Sequence, residues 1–565
     1  MLFNSQGKDT VTYDAIVVGS GISGGVAAKE LTEKGLKTLV LERGRDVKHG
    51  DYPTANLETF DTPSRGRVSA EEMKKYPKQS RTGYTISEAT KHWFVNDLEN
   101  PYLEKKRFDW MRGYHVGGRS IMWGRHCYRW SDLDFEANAR DGHGTDWPIR
   151  YRDIQPWYDY VEKFVGIQGM KEGLPQLPDS QFLPPMALNC VESHMRDRIK
   201  SKLGRTLTIG RTANLTEPLN GRGSCQYRSR CSRGCPYGAY FSSNAATLPP
   251  AYKTGNLTLR PHSIVNSLIY NPDTKRVEGV RVIDAETNET HEFYSKVVFL
   301  CASALGSTFI LMNTKDHYPD GLGSSSGELG HNLMDHHFRT GANGTIDGWE
   351  DKYYKGRRPT GFYIARFRNI DRQSTMKDFV RGYGYQGGAS RENWRRSVAE
   401  LTHGAELKET LAQPGPWRAG MTAFGECLPY HENKVELTDA KKDKWGQPVL
   451  EFDCEFKGNE MAMREDMKSA AAEMLEASGF KDVTTYDTIG APGLGIHEMG
   501  TARMGTARKN SVLNKNNQVW DAPNVYVTDG ACMTSSACQN PSITYMALTA
   551  RAVDHAVKEL NKQNI

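Results

Sequence analysis

The chain has 565 residues, enough for two or three domains around a large core. Hydrophobic residues make up 38% and the mean hydropathy is −0.64, with no uninterrupted apolar run of the roughly eighteen residues a membrane-spanning helix needs. A net charge of +5 is nearly balanced over this length, and the basic residues are scattered apart from Arg228, Arg230 and Arg233, which argues against a nucleic-acid binder.

Tyr13–Val18 is a short apolar run of strand type. It leads straight into Gly19-Ser20-Gly21-Ile22-Ser23-Gly24, then into a helical pattern carried by Val26, Ala27 and Leu31 that stops at Gly35. A second strand-like run, Lys37–Leu41, ends at Glu42, with Arg43 next. This order of strand, glycine turn, helix, strand and terminal acid is a dinucleotide-binding unit. Gly19 serves the tight turn, Gly21 lets backbone approach a pyrophosphate, and Gly24 lets the helix pack on the strand. The helix N-terminus aims unpaired N–H groups at phosphate oxygens, and Glu42 is placed to accept from ribose hydroxyls. The unit alone does not separate FAD from NAD. The few residues before the first strand leave no room for a secretion signal, so the chain is expected to carry no export signal of its own.

Residues 60–110 are polar and interrupted and predict loops with short helices. Pro175, Pro178, Pro184 and Pro185 mark an extended connection over residues 176–190. Seven of the ten cysteines are scattered and read as buried free thiols. The other three, Cys225, Cys231 and Cys235, form C-x5-C-x3-C followed by Pro236, inside a segment of about 220–245. Thiolates at this spacing before a proline suit iron–sulfur ligation. Zinc with a distant fourth ligand and three unligated thiols are the alternatives. With three cysteines, either a fourth ligand comes from elsewhere or the cluster is of the three-iron type.

Between residues 256 and 302 the pattern turns to β: Leu257–Arg260, Ser263–Tyr270, Val277–Ile283 and Val297–Cys301, with a turn at Asn271-Pro272-Asp273. Residues 340–450, with short strand patterns and Gly/Pro breaks, predict a separate sheet. Asn459–Ser478 reads as a helix with Met463, Met467, Ala470, Met474 and Leu475 on one face and Gly479 as its stop. Val525–Thr528 predicts a strand leading to Asp529-Gly530, and a last helix covers about Thr544–Leu560.

Taken in order, these motifs resemble the glucose–methanol–choline (GMC) oxidoreductases over most of the chain. The N-terminal unit matches the family's FAD-binding start. Arg112-Gly-Tyr-His-Val-Gly117-Gly118-Arg-Ser120 is similar to its glycine-rich segment along the flavin. Leu329–His336 is similar to its G-x-N-L-x-D-H stretch, and His497–Gly505 and Asp529-Gly530 … Asn540-Pro541 to its closing motifs. The resemblance implies FAD as the cofactor. It also implies an α/β (α+β) fold in which a Rossmann-like FAD domain (1–339, with substrate-side elements at about 60–110) is interleaved with an antiparallel-sheet substrate domain (340–480). Residues 481–565 then return to the FAD domain with the active site. One family signature is loose, with Thr308 where proline is usual in Ala302–Thr308. Some sugar-oxidising members bind flavin covalently through a histidine before the tryptophan of the glycine-rich segment. Here Met122 precedes Trp123, and a thioether cannot form that bond, so FAD is expected to be non-covalent.

On the same resemblance, His497 stands at the family's base and Asn540 at its partner. Gly19, Gly21, Gly24, Glu42, Arg43, Gly117, Gly118, Ser120, Trp123, Asp529 and Gly530 are the expected flavin contacts, Asp529 toward the ribityl chain or pyrophosphate. His336 and His337 are assigned structural roles. One branch of bacterial sugar dehydrogenases is similar in carrying C-x5-C-x3-C-P. It implies a [3Fe-4S] cluster on Cys225, Cys231 and Cys235, a small partner bearing a Tat signal, a cytochrome c acceptor and periplasmic residence by co-export, with cytoplasmic residence the alternative. The substrate expectation is a sugar hydroxyl, C3 of a glucoside before C1 of glucose, with an oxygen-using oxidase as the rival.

Overall fold

In the computed structural model, which describes residues 12–354, 361–392 and 403–565, strand Tyr13–Val18 lies inside a mainly parallel sheet. Thr38–Leu41 and Thr290–Leu300 flank it in parallel register, Leu257–Arg260 extends the first side and Ala522–Val527 the second. Ala15, Ile16 and Val17 are fully buried, as a parallel strand covered on both faces requires. Helix Ile22–Glu33 follows the first strand and packs beside the last helix, Ser542–Asn561, so the chain's two ends share one layer.

The strand expected at Val297–Cys301 is the second half of a longer one. Thr290–Tyr294 pairs antiparallel with Arg276–Asp284, while Ser295–Leu300 joins the parallel sheet. The first half is half-exposed and carries Thr290, His291 and Glu292, so its polar sequence hides a strand held by backbone pairing.

The second sheet is antiparallel, in the order Lys481–Asp487, His337–Ile346, Trp417–Gly425, Tyr383–Arg391, Phe362–Ile364 and Leu207–Ile209. Two of its strands come from outside residues 340–480, the range expected for the substrate domain. Helix Gly458–Ala477 buries Met463, Met467, Ala471, Met474 and Leu475 in this sheet's core. At about 1.5–3 kcal/mol per large apolar side chain, that face accounts for why the helix docks where it does. Gly479, at φ +84°, ends the helix as expected, and the Phe480 N–H closes on Leu475 O at 3.1 Å.

Residues 60–110 form turns, single-turn helices, the short helix Ala70–Met73 and, beyond the expected loops, the two-residue strand Leu103–Glu104 paired in parallel with Glu451 and Phe452. Within residues 176–190, Phe182–Leu183 pairs with Ile167–Gln168 in an otherwise extended connection. Among the described residues no helix is long and apolar enough to cross a membrane.

Candidate active site

One cavity runs from the Gly19–Ser23 turn and Glu42 past Gly118, Ser120 and Trp123 to His497, Asp529, Gly530 and Asn540. Its far end is built for a dinucleotide. Gly19 has φ +94°, and a Cβ there meets Cys301 O at 2.5 Å; a Cβ on Gly24 meets Gly19 O at 1.9 Å. Gly21 differs: a Cβ there has no neighbour within 4 Å, so the space beside it belongs to the cavity. Gly21 is also the N-cap of helix Ile22–Glu33, with no side-chain cap, which leaves first-turn N–H groups for a phosphate.

Glu42 is buried, and burial pushes its carboxyl up. The Ser20 hydroxyl (2.6 Å), Ser20 N–H (3.1 Å) and Gly44 N–H (3.0 Å) donate to it and fix its direction. Ser20 Oγ also accepts from Gly117 N–H at 2.9 Å, tying the glycine-rich segment to the first turn. Arg43 lines the cavity with its guanidinium 4.2 Å from the Tyr114 ring. Gly117, at φ +88°, has no room for a Cβ against Asn244 Oδ1, and Ser120 Oγ accepts from Ser243 N–H at 3.0 Å. Trp123 Nε1 donates to Phe241 O at 2.9 Å. These residues fit FAD. Gly21→Ala is therefore expected to leave the fold stable and to lower bound flavin at least about tenfold, whereas Gly24→Ala strikes backbone and destabilises the protein. Flavin absorbance and thermal melting of the two variants check this.

At the other end His497 Nε2 lies 3.4 Å from Asn540 Nδ2, while Asn540 Oδ1 accepts from Gln386 Nε2 at 2.7 Å. His497 Nδ1 is 2.8 Å from His336 Nδ1, and His336 Nε2 faces Ala537 O at 2.7 Å. A carbonyl only accepts, so His336 holds its proton on Nε2 and offers a bare Nδ1. His497 must then carry its proton on Nδ1, which leaves Nε2 unprotonated toward Asn540 and the cavity. Burial, with His336, Arg119 and His126 adding, holds His497 well below the usual imidazole range. The arrangement is a neutral base with a defined tautomer beside an amide donor.

His336, expected to be structural, lies in hydrogen-bond contact with His497. The neighbouring Asp335 accepts from the N–H groups of Gly493 (2.8 Å), Gly495 (2.8 Å) and His497 (3.0 Å), so one carboxylate shapes the loop that carries the base. Burial and the Glu498 carboxylate push Asp335 up to about 7 against those donors. The signal for both roles is the Asp-His pair at the mouth of strand His337–Ile346. His337 is buried, with its ring centroid 5.8 Å from that of Phe456. Two further contacts escape sequence reading. Arg119 pairs with buried Glu498 at 2.7 Å, and Ser307 Oγ donates to Asp529 at 2.5 Å. Asp529, pushed up to about 6 by burial, also caps Ala531 N–H at 3.0 Å.

Cys225, Cys231 and Cys235 are half-buried free thiols that line one small pocket with Asn214 and Tyr240. The Tyr227 N–H lies 3.5 Å from Cys225 Sγ, and burial with the sulfurs of Cys231 and Cys235 raises the Cys225 thiol. Asn214 Oδ1, in the same wall, is buried with no hydrogen-bond partner among the described residues. The donor chemistry suits a thiophilic group. The three thiols share one pocket, although among the described residues no three His, Cys, Asp or Glu are grouped to hold a metal ion. The spacing brings the thiols to one loop, and turns at Tyr227, Ser229 and Gly234, all at positive φ, then set their separation.

A parallel nucleotide-binding sheet joined to an antiparallel sheet, with an imidazole and an amide facing one cavity, defines a flavin-type oxidoreductase acting on alcohols. The chain belongs to the GMC oxidoreductases: two family models of that description match residues 13–338 and 429–549. GMC oxidoreductases bind FAD. The chain is similar to 2-methyl-1,2-propanediol dehydrogenase of Mycolicibacterium austroafricanum, 29% identical over 96% of this chain and 94% of that protein. It is 24% identical to the fructose dehydrogenase large subunit of Gluconobacter japonicus over 98% of this chain and 99% of that one. The gluconate 2-dehydrogenase flavoprotein of Pantoea cypripedii is also 24% identical, over 95% of this chain and 92% of that protein. Among solved structures, pyridoxine 4-oxidase from Mesorbium loti shares the fold, with a TM-score of 0.57 at 14% identity over 96% of this chain and 99% of that one.

Proposed function

We propose that this chain is a dehydrogenase that oxidises a sugar hydroxyl, with C3 of a glucoside as substrate and a 3-keto sugar as product, using non-covalently bound FAD. The observation that carries the reaction is the ordered pair of imidazoles behind Asn540. A substrate hydroxyl between His497 and Asn540 gives its proton to His497 Nε2, while Asn540 Nδ2 donates to the oxygen as its charge develops. His336 holds the tautomer this needs, and Gln386 fixes the Asn540 amide. Bound FAD supplies the acceptor for the carbon-bound hydrogen and its electron pair.

The sugar assignment is supported by the branch resemblance and by relatives whose names are those of fructose and gluconate dehydrogenases. On the same branch resemblance, Cys225, Cys231 and Cys235 hold an iron–sulfur cluster, [3Fe-4S] in type, which supplies one-electron transfer when bound. Arg125 supports the link, since its Nη1 donates to Trp123 O at 2.6 Å and Cys231 O at 3.4 Å, joining the cysteine loop to the flavin cavity. The acceptor is a cytochrome c or an artificial dye. Co-export with a small Tat-signal subunit would place the enzyme in the periplasm. A second reading, an oxygen-using oxidase with structural cysteines, is kept because among the described residues no three His, Cys, Asp or Glu are placed to hold a metal ion.

The test is to purify the protein without air, measure flavin, iron and acid-labile sulfide, then supply glucose or methyl glucoside with a dye. Bound iron and a 3-keto product are expected. Gluconolactone as sole product overturns the C3 assignment, and iron-free enzyme forming stoichiometric peroxide establishes the second reading.

A further inference from the structure

His126 lies on the wall of the same cavity, three residues beyond Trp123, and the mechanism above does not use it. Its Nδ1 is 3.0 Å from the Tyr128 hydroxyl, and the two rings stack at 18°. Tyr128 is fully buried, and burial keeps its phenol protonated. His126 Nδ1 is the hydrogen-bond partner of that hydroxyl among the described side chains, and a buried O–H without an acceptor costs about 1–3 kcal/mol. The phenol therefore donates, and Nδ1 accepts. His126, itself held neutral by burial at about 3, must carry its proton on Nε2. That nitrogen has no hydrogen bond among the described residues. His126 and His497 both line this cavity.

Two imidazoles thus serve one chamber in opposite tautomers, His497 with a bare Nε2 and His126 with an Nε2–H. The reacting oxygen already has its donor in Asn540, which leaves the His126 donor for a different oxygen. We propose that His126 recognises a second substrate oxygen, on a carbon next to the one oxidised, and so selects polyols over simple alcohols. This rests on the dehydrogenase reading and adds to it a contact that distinguishes a sugar from a simple alcohol. A site built to hydrogen-bond a hydroxyl rejects analogues lacking it far better than an apolar pocket does.

The test follows anaerobic flavin reduction in the purified holoenzyme by methyl α-D-glucopyranoside, D-glucose and their 2-deoxy and 4-deoxy analogues. Wild type is expected to favour a parent sugar over one deoxy analogue by at least about tenfold in kcat/KM. His126→Ala should cut that preference to about threefold or less, mainly through KM, and His126→Gln, which keeps an N–H donor, should restore part of it. An unchanged preference in both variants overturns the proposal. So does an equal fall on parent and deoxy sugars with an altered flavin spectrum, which would place the donor on the flavin. If no polyol reduces the wild-type flavin, the dehydrogenase reading falls and this inference with it; reduction with unchanged preference sinks this inference alone.

Discussion

His497→Ala is expected to slow sugar-driven flavin reduction by about 10²–10⁴-fold, the usual worth of a positioned general base. Flavin content should stay near wild type, because the base sits on a loop whose backbone is held by Asp335, and Asp335 bonds the His497 N–H rather than its ring. Stopped-flow absorbance under anaerobic conditions separates the two quantities. The pH dependence follows from the same environment. Burial and three neighbouring groups favour neutral His497, so its active form persists as pH falls below the ordinary imidazole value of about 6.5. The acid limb of kcat/KM assigned to this base should therefore lie below the ordinary imidazole value, with a flat region through neutrality. A limb above about 6.5 that disappears in His497→Ala would show that the ring is solvated or faces an anion, contrary to the geometry.

The second large effect concerns His336, which touches no substrate and acts through His497. His336→Phe removes the acceptor for the His497 Nδ1–H. A buried donor left without a partner costs about 1–3 kcal/mol, which disfavours the productive tautomer and lowers kcat about 10- to 100-fold with KM little changed. His336→Gln can accept from His497 and donate to Ala537 O, so it should recover part of the loss. If both variants lose bound flavin and melt early, the residue is a packing element only, and the tautomer relay is wrong.

The N-terminal unit was readable because each glycine answers a local demand: φ +94° at Gly19, helix-to-turn contact at Gly24, open space at Gly21. The helix at Gly458–Ala477 was readable for a similar reason, its methionines repeating at helical steps and its end falling at a glycine. The Thr290–Tyr294 half-strand was not, because a polar edge paired through backbone leaves no periodicity to read. The antiparallel sheet draws four of its six strands from residues 337–425, while its strands Leu207–Ile209 and Lys481–Asp487 are too short or too polar to advertise their partners.

What the sequence determined by itself was local or motif-borne: a dinucleotide site, a histidine and asparagine in paired closing motifs, and three cysteines on one loop. Only the tertiary structure decided how side chains far apart in the chain meet. It set His336 against His497, Ser307 against Asp529, and Tyr128 so that His126 keeps its proton toward the cavity. Protonation sites depend on which buried donors and acceptors lack water and must satisfy one another, and that is fixed by packing across the whole chain.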